Sequence, residues 1–177
     1  RDAVAFAHAQ FMNDVAALRD GDWQWNGWLT PKGRVVALFS LLRMDAGTIW
    51  LVVQEADAEA LAASLRRFGF RSKVAIDLSD DMRILGRLRA SERASAAHWA
   101  GLRDDGVELD VSGDGGARAL RVVAGDVGNE AVGEIAEALA AWKRLDLRHG
   151  WPRLDASQRE QWTPQQLSLE RLNAFSV

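Results

Sequence analysis

Three histidines, His8, His98 and His149, are the side chains in this 177-residue chain whose ordinary pKa suits proton transfer near neutral pH. They lie far apart, and no two have the spacing with which a helix or turn presents a metal-ligating pair, so each reads as a structural or surface residue. No serine sits in a nucleophile elbow and no glycine loop matches a phosphate-binding motif. Cysteine is absent, which excludes a disulfide, a thiolate metal site and a cysteine nucleophile within these residues. Two carboxylate pairs, Asp80-Asp81 and Asp104-Asp105, have the residue type for general acid–base work, but both fall in segments that read as solvated turns. Gly113 to Gly116 is glycine-rich, yet it lies between two strand-like runs and reads as a hairpin turn.

Aromatic and basic residues carry more information. There are eight tryptophans and no tyrosine. Trp23, Trp25 and Trp28 suit the wall of a pocket for a flat ligand such as a pterin; the commoner role for such rings is packing a sheet against helices. From 66 to 93, eight basic residues (Arg66, Arg67, Arg71, Lys73, Arg83, Arg87, Arg89 and Arg93) face four acidic ones. This window is net +4 in a chain of net charge −3. It suits RNA phosphates or the carboxylates of a polyglutamylated cofactor; the plainer reading is a solvated helix end with its neighbouring strands.

The elements that position these residues follow from periodicity. Hydrophobic residues make up 48% and charged residues 27%, the balance of a soluble globular domain, or of two small ones sharing a chain. No apolar run is long enough to span a bilayer, and no secretory signal opens the chain, so a cytoplasmic location is the default. The start at Arg1 without methionine and the apolar close at Phe175-Ser176-Val177 are those expected of a piece of a longer protein. Residues 2–18 read as a helix capped by Asp2 and ended by Gly21. Trp23 to Leu29 reads as a strand, Thr30-Pro31-Lys32-Gly33 as a turn, 34–42 as a buried strand and 48–53 as a third. A helix over 58–68, capped by Asp57 and closed by Gly69, then a strand over 73–78, would complete a ferredoxin-like arrangement. Further on, 82–88 reads as a strand, 95–102 as one or two helical turns, 107–111 as a half-exposed strand, and 119–124 as its hairpin partner. Asn129 is placed to cap a helix with Val132, Ile135, Leu139 and Trp142 on its buried stripe, ended by Gly150 and Pro152. Thr163-Pro164-Gln165-Gln166 has a capping-box pattern, and a short helix should follow. These features alone stop at an α+β domain.

Three stretches resemble the YgfZ family, relatives of the glycine-cleavage T-protein (aminomethyltransferase). They are the opening from Asp2 through Phe11 with Asn13-Asp14-Val15; Leu29-Thr30-Pro31-Lys32-Gly33-Arg34-Val35 with Phe68-Gly69-Phe70-Arg71-Ser72-Lys73-Val74; and Gly150-Trp151-Pro152 with Glu160-Gln161-Trp162-Thr163-Pro164-Gln165 and 167–172. In order and spacing they cover nearly the whole chain. The family's diagnostic Lys-Gly-Cys-Tyr-x-Gly-Gln-Glu motif would follow Val177.

The resemblance implies an α+β, T-protein-like folate-binding scaffold with a ferredoxin-like inserted subdomain over 28–78. The larger discontinuous domain would be 1–27 with 79–177. The implied cofactor is tetrahydrofolate or a derivative. The implied role is that of an accessory protein in iron–sulfur cluster assembly or repair, affecting tRNA-modifying enzymes, with iron–sulfur client proteins and tRNA as partners, no membrane, and no metal ligands of its own. Thr30, Gly33 and Arg34 at the turn, with Arg148 and Thr163 opposite, are the implied lining. T-proteins carry an aspartate pair on the strand after the turn, where this chain has Val36 and Ala37. They also carry a pterin-gripping glutamate two residues before a glycine, where this chain has Arg148 before Gly150. Neither Val36 nor Ala37 can relay a proton, so a conventional aminomethyltransferase is not expected. Two alternatives remain: a one-carbon transferase with a displaced base, and an RNA- or protein-docking module that uses 66–93.

Overall fold

The computed structural model describes residues 2–102, 106–125 and 132–176, without the side chains of 71 and 132–135. The chain forms two compact units, one of Arg1–Leu78 with Arg153–Val177, the other Ser79–Pro152.

The first unit is built on a three-stranded antiparallel meander of β1 (Trp23–Leu29), β2 (Val35–Arg43) and β3 (Ile49–Val52), in the order β1-β2-β3. Proline at the second turn position and Gly33 at φ +72° set the β1–β2 connection, which the Gly33 N–H closes onto the Thr30 carbonyl at 2.9 Å. Strand alternation then sorts the faces. Ala37, Phe39 and Leu41 form a buried cluster with Ala7, Val15, Leu61 and Leu65 from the helical side. Each large apolar side chain buried in this way contributes about 1.5–3 kcal/mol. Helix α2 (Ala58–Arg66) starts where expected, because the Asp57 carboxylate accepts the Ala60 N–H at 3.0 Å.

Helix α1 covers Ala3–Gln10 only, not the expected 2–18. The chain leaves it because Phe11 bridges to Trp28 and the Met12 N–H donates to the Gly27 carbonyl, so the next residues join the edge of β1. Asn13 then fixes the exit. Its N–H donates to Asn26 Oδ1, and its Nδ2 donates to the carbonyls of Trp25 and Asn173. Asp2 makes no cap with its side chain; its Oδ2 accepts the Lys73 N–H instead. Gly69 does not simply stop α2, since a 3-10 turn, Gly69–Arg71, begins there. Residues 73–78, expected as a strand, form no ladder among the described residues. The residues also group differently from the expected division at 28, because that cut falls inside β1, whose ladder to β2 runs from Trp23↔Leu42 to Leu29↔Val35.

The second unit is a four-stranded antiparallel sheet with α3 (Val132–His149). Its strands are β4 (Met82–Arg87), β5 (Ala100–Gly101), β6 (Val107–Asp110) and β7 (Ala119–Ala124), in the order β4-β7-β6-β5. The helix expected at 95–102 is replaced by a turn, in which the Ser95 N–H donates to the His98 carbonyl and Ser95 Oγ accepts the His98 N–H, leading into β5. Strand β6 is not half-exposed. Glu108 is buried, accepting from Ser91 Oγ at 2.5 Å and pairing with Arg121 Nε at 3.3 Å, which satisfies the acid inside the sheet layer. On α3, Trp142 is buried as expected, whereas Leu139 is 47% exposed. The Asn129 cap and the Asp104-Asp105 pair lie outside the described residues.

A buried ion pair joins the residue before β7 to α3. Arg118, fully buried, donates from Nη1 to Asp146 Oδ1 at 2.5 Å and from Nε to the Val111 carbonyl, and it stacks on the Trp142 ring at 5.1 Å. Burial holds the Asp146 carboxyl above its ordinary pKa, with Arg118 pulling the other way. The 113–116 hairpin closes as expected, with the Gly116 N–H donating to the Gly113 carbonyl. A Cβ at buried Gly115 would lie inside van der Waals contact of the Leu145 carbonyl oxygen. Because backbone cannot swing aside, Gly115→Ala is expected to cost about 1–3 kcal/mol in a denaturant melt, with the sheet and helix content kept in the folded baseline.

Candidate functional site

Four of the five residues singled out from the sequence, Thr30, Gly33, Arg34 and Thr163, fall in the first unit; Arg148 falls in the second, exposed in the last turn of α3. Thr30 and Gly33 belong to the turn that holds the Arg34 backbone, and Thr163 bonds Gln166, which in turn bonds the Arg34 guanidinium. The Thr30 N–H donates to the Arg34 carbonyl at 2.8 Å, and Thr30 Oγ1 accepts the Arg34 N–H at 3.1 Å, so the turn fixes the arginine's backbone on both sides.

The C-terminal segment fixes the side chain. The Glu160 N–H donates to the Val35 carbonyl and the Val35 N–H donates to the Trp162 carbonyl, both at 2.8 Å, which lays 160–162 beside the start of β2. The capping-box pattern is realised in its hydrogen bonds. Gln166 N–H donates to Thr163 Oγ1 at 3.2 Å, and Thr163 N–H donates to Gln166 Oε1 at 3.0 Å. The segment after it makes turns and a short 3-10 helix, Leu169–Leu172, in place of the expected α-helix. Arg34 Nη1 donates to the Gln161 carbonyl at 2.8 Å and to Gln166 Oε1 at 3.0 Å.

The consequence is a half-buried cation held from one edge. Its Nε and Nη2 groups have no hydrogen-bond partner among the described residues, and they form the flat two-donor edge that matches a carboxylate. Thr30, Gly33 and Thr163 act through the scaffold: their polar groups are occupied in placing Arg34. Gln161 and Gln166, more than a hundred residues away in sequence, complete the arrangement. Sequence reasoning finds Gln166 only as a helix cap, because nothing in local spacing ties it to residue 34.

The strand after the turn offers no acid or base. Ala37 pairs with Trp28 and is buried in the core, while Val36 is unpaired at the register shift of the ladder and only partly buried. The tryptophans divide as well. Trp23 and Trp25 meet edge to face at 5.2 Å, and Trp28 lies on the other side against Phe68 at 5.8 Å, so the three do not line one wall. The basic run divides between the units, with 66–73 in the first and 83–93 in the second. Among the described residues, no three His, Cys, Asp or Glu side chains cluster to hold a metal, and no helix is long and apolar enough to cross a membrane.

No protein-family model matches the chain. Among curated proteins it is similar to the tRNA-modifying protein YgfZ of Klebsiella pneumoniae, with 25% identity over 99% of this chain and 58% of that protein. The tRNA-modifying protein YgfZ of Cronobacter sakazakii is 26% identical over 99% of this chain and 57% of its own length. The chain thus spans just over half the length of the curated relatives it matches. Among solved structures it shares the fold of the glycine cleavage system aminomethyltransferase T from Bartonella henselae. That match has a TM-score of 0.57 and 16% identity, and it covers 82% of this chain and 41% of that one.

Proposed function

The chain is related to the YgfZ proteins along nearly its whole length and has an α+β, T-protein-like scaffold, and from this premise we propose that it is the folate-binding part of an accessory protein for tRNA modification, working through the maintenance of iron–sulfur enzymes. The observation that carries the reading is the end-to-end similarity to proteins named for tRNA modification, on a scaffold shared with a one-carbon transferase.

Arg34 fits a folate. A guanidinium whose Nη1 is tied to Gln161 and Gln166 presents its other edge without further ordering, which suits a glutamyl carboxylate of the folate tail. In this role Arg34 touches the ligand, while Thr30, Gly33, Thr163 and Gln166 keep it oriented. Arg148 is a cation at the position that matches the T-protein's pterin-gripping glutamate, so this chain lacks that contact. Bound tetrahydrofolate supplies a one-carbon carrier, and this chain contributes binding and orientation. A cytoplasmic location and iron–sulfur clients belong to the same proposal.

The test has two arms. Titration with 5-formyltetrahydrofolate is expected to show saturable binding that Arg34→Ala weakens about 10- to 100-fold, as befits loss of a charge-assisted pair. Gln166→Ala, which loosens the arginine without removing it, should weaken it less. No saturable binding by the wild type would sink the folate assignment. In a strain lacking its own homologue, the full-length natural protein should restore the modified nucleosides made by iron–sulfur tRNA-modifying enzymes. Unchanged nucleoside levels at normal protein abundance would sink the accessory role.

A further inference from the structure

The turn after α2 displays an aromatic ring that nothing in the core uses. Phe70 is 95% exposed, more than any other large apolar residue described. An isolated exposed leucine needs no explanation, but a phenylalanine presented almost whole to solvent is unusual.

Its mounting is tied by hydrogen bonds and one ring contact. Phe68, two residues earlier, packs edge to face on Trp28 at 5.8 Å. The Phe68 N–H donates to the Leu65 carbonyl and the Ser72 N–H to the Gly69 carbonyl, closing the 3-10 turn on both sides. Arg66 Nε donates to the Ile76 carbonyl at 2.8 Å, joining the leg that enters the turn to the leg that leaves it. Between 60 and 76 the sequence has four cations and no acid, and Arg67 and Lys73 are exposed on either side of Phe70; the Asp2 carboxylate also lies at this turn, where it accepts the Lys73 backbone N–H.

We propose that this turn is a contact site for single-stranded RNA, in which the Phe70 ring stacks on an unpaired base and Arg67 and Lys73 meet the flanking phosphates. A π-face with cations beside it is the combination that holds single strands without reading their sequence. A protein partner would be served equally well by the ring but has no general need for a turn in which cations outnumber acids. The choice of RNA rests on the tRNA-modification reading given above; the geometry of the turn does not.

The experiment measures binding of a fluorescently labelled short single-stranded RNA of mixed sequence by anisotropy, across a salt series, alongside the folate titration. Phe70→Ala is expected to lower RNA affinity roughly 10-fold or more, and Phe70→Trp to retain it, which separates stacking from mere bulk. Arg67→Glu should flatten the plot of log affinity against log salt by roughly 0.7 for each phosphate that is no longer neutralised. Arg89→Glu makes the same charge change in the second unit and should have a smaller effect. Because Phe70 is exposed, its variants should melt as the wild type does, so a weakened signal reports on the RNA interface itself. Phe70→Ala binding like the wild type, equal effects of the two charge reversals, or no RNA binding by the wild type would each overturn the site, whatever the folate result. RNA binding that depends on Phe70 in a chain that binds no folate would keep the site and remove the folate reading.

Discussion

Asp146→Ala is expected to destabilise the second unit by about 3–5 kcal/mol. The carboxylate and the Arg118 guanidinium are both almost fully excluded from solvent. Their attraction repays the desolvation of two charges only while both are present. With the acid gone, the arginine is left in a dry site with the Val111 carbonyl and the Trp142 face, which do not neutralise a full charge. A denaturant melt followed by tryptophan fluorescence reads the loss, with Trp142 and Trp151 buried in this unit as reporters. The double variant Arg118→Met with Asp146→Leu should recover most of the stability, because apolar groups of similar volume need no partner. A single variant that melts within about 1 kcal/mol of wild type would mean that water reaches the pair. Acid titration adds a second readout. Since the folded Asp146 pKa lies above its ordinary 3.8, the folded unit binds this proton more tightly than the unfolded chain. Its ionisation therefore lowers stability as pH rises from about 3.8 through the raised value, and the alanine variant should lose that slope.

Supplied with tetrahydrofolate and an aminomethyl-lipoyl carrier, the protein is expected to transfer the one-carbon unit about 100- to 10,000-fold more slowly than a T-protein. That is the range lost with a positioned general base. The positions that match the T-protein aspartate pair are Val36 and Ala37, neither of which titrates. Restoring the acid is not a simple matter of substitution. Ala37 sits in the cluster with Phe39 and Leu41, so Ala37→Asp would bury an unpaired carboxylate and unfold the hairpin before it could serve as a base. Val36 is only partly buried, so Val36→Asp should be better tolerated, yet it too should leave the rate low without the rest of a catalytic arrangement. Turnover within a few-fold of an authentic T-protein would locate a base elsewhere and make the chain a transferase.

What can be read from sequence follows the range of the interactions. The turn at Gly33 and the cap at Asp57 depend on residues three or four apart, and both form where their spacing places them. Helix α1 is shorter than its periodicity because residues 11 and 12 are claimed by β1, an interaction more than a dozen residues away. The alternation in β6 misleads for the same reason: Glu108 looks like a solvent residue until Arg121, on the neighbouring strand, supplies its counter-charge. In the site, the spacing supplies Arg34 and its turn, whereas the clasp by Gln161 and Gln166 depends on tertiary hydrogen bonds across more than a hundred residues. The Arg118–Asp146 pair, 28 residues apart and joining the entry of a strand to a helix, leaves no local signature.

The two units differ in how their residues become available on the ribosome. Ser79–Pro152 is one uninterrupted stretch, so everything it needs has emerged once its last helix is made. The first unit is stitched from both flanks: Asn13 donates to the Asn173 carbonyl, the Ser176 N–H donates to the Met12 carbonyl, and 160–162 completes the edge at Val35. Its first 78 residues must wait, with the start of β2 and the Asn13 side chain incompletely bonded, while nearly a hundred more are translated. At roughly 5–20 residues per second that is a delay of about 5–20 seconds. Premature termination after residue 152 would therefore release a molecule with one finished unit and one open edge, and the open edge is where a chaperone or an aggregating neighbour would find it.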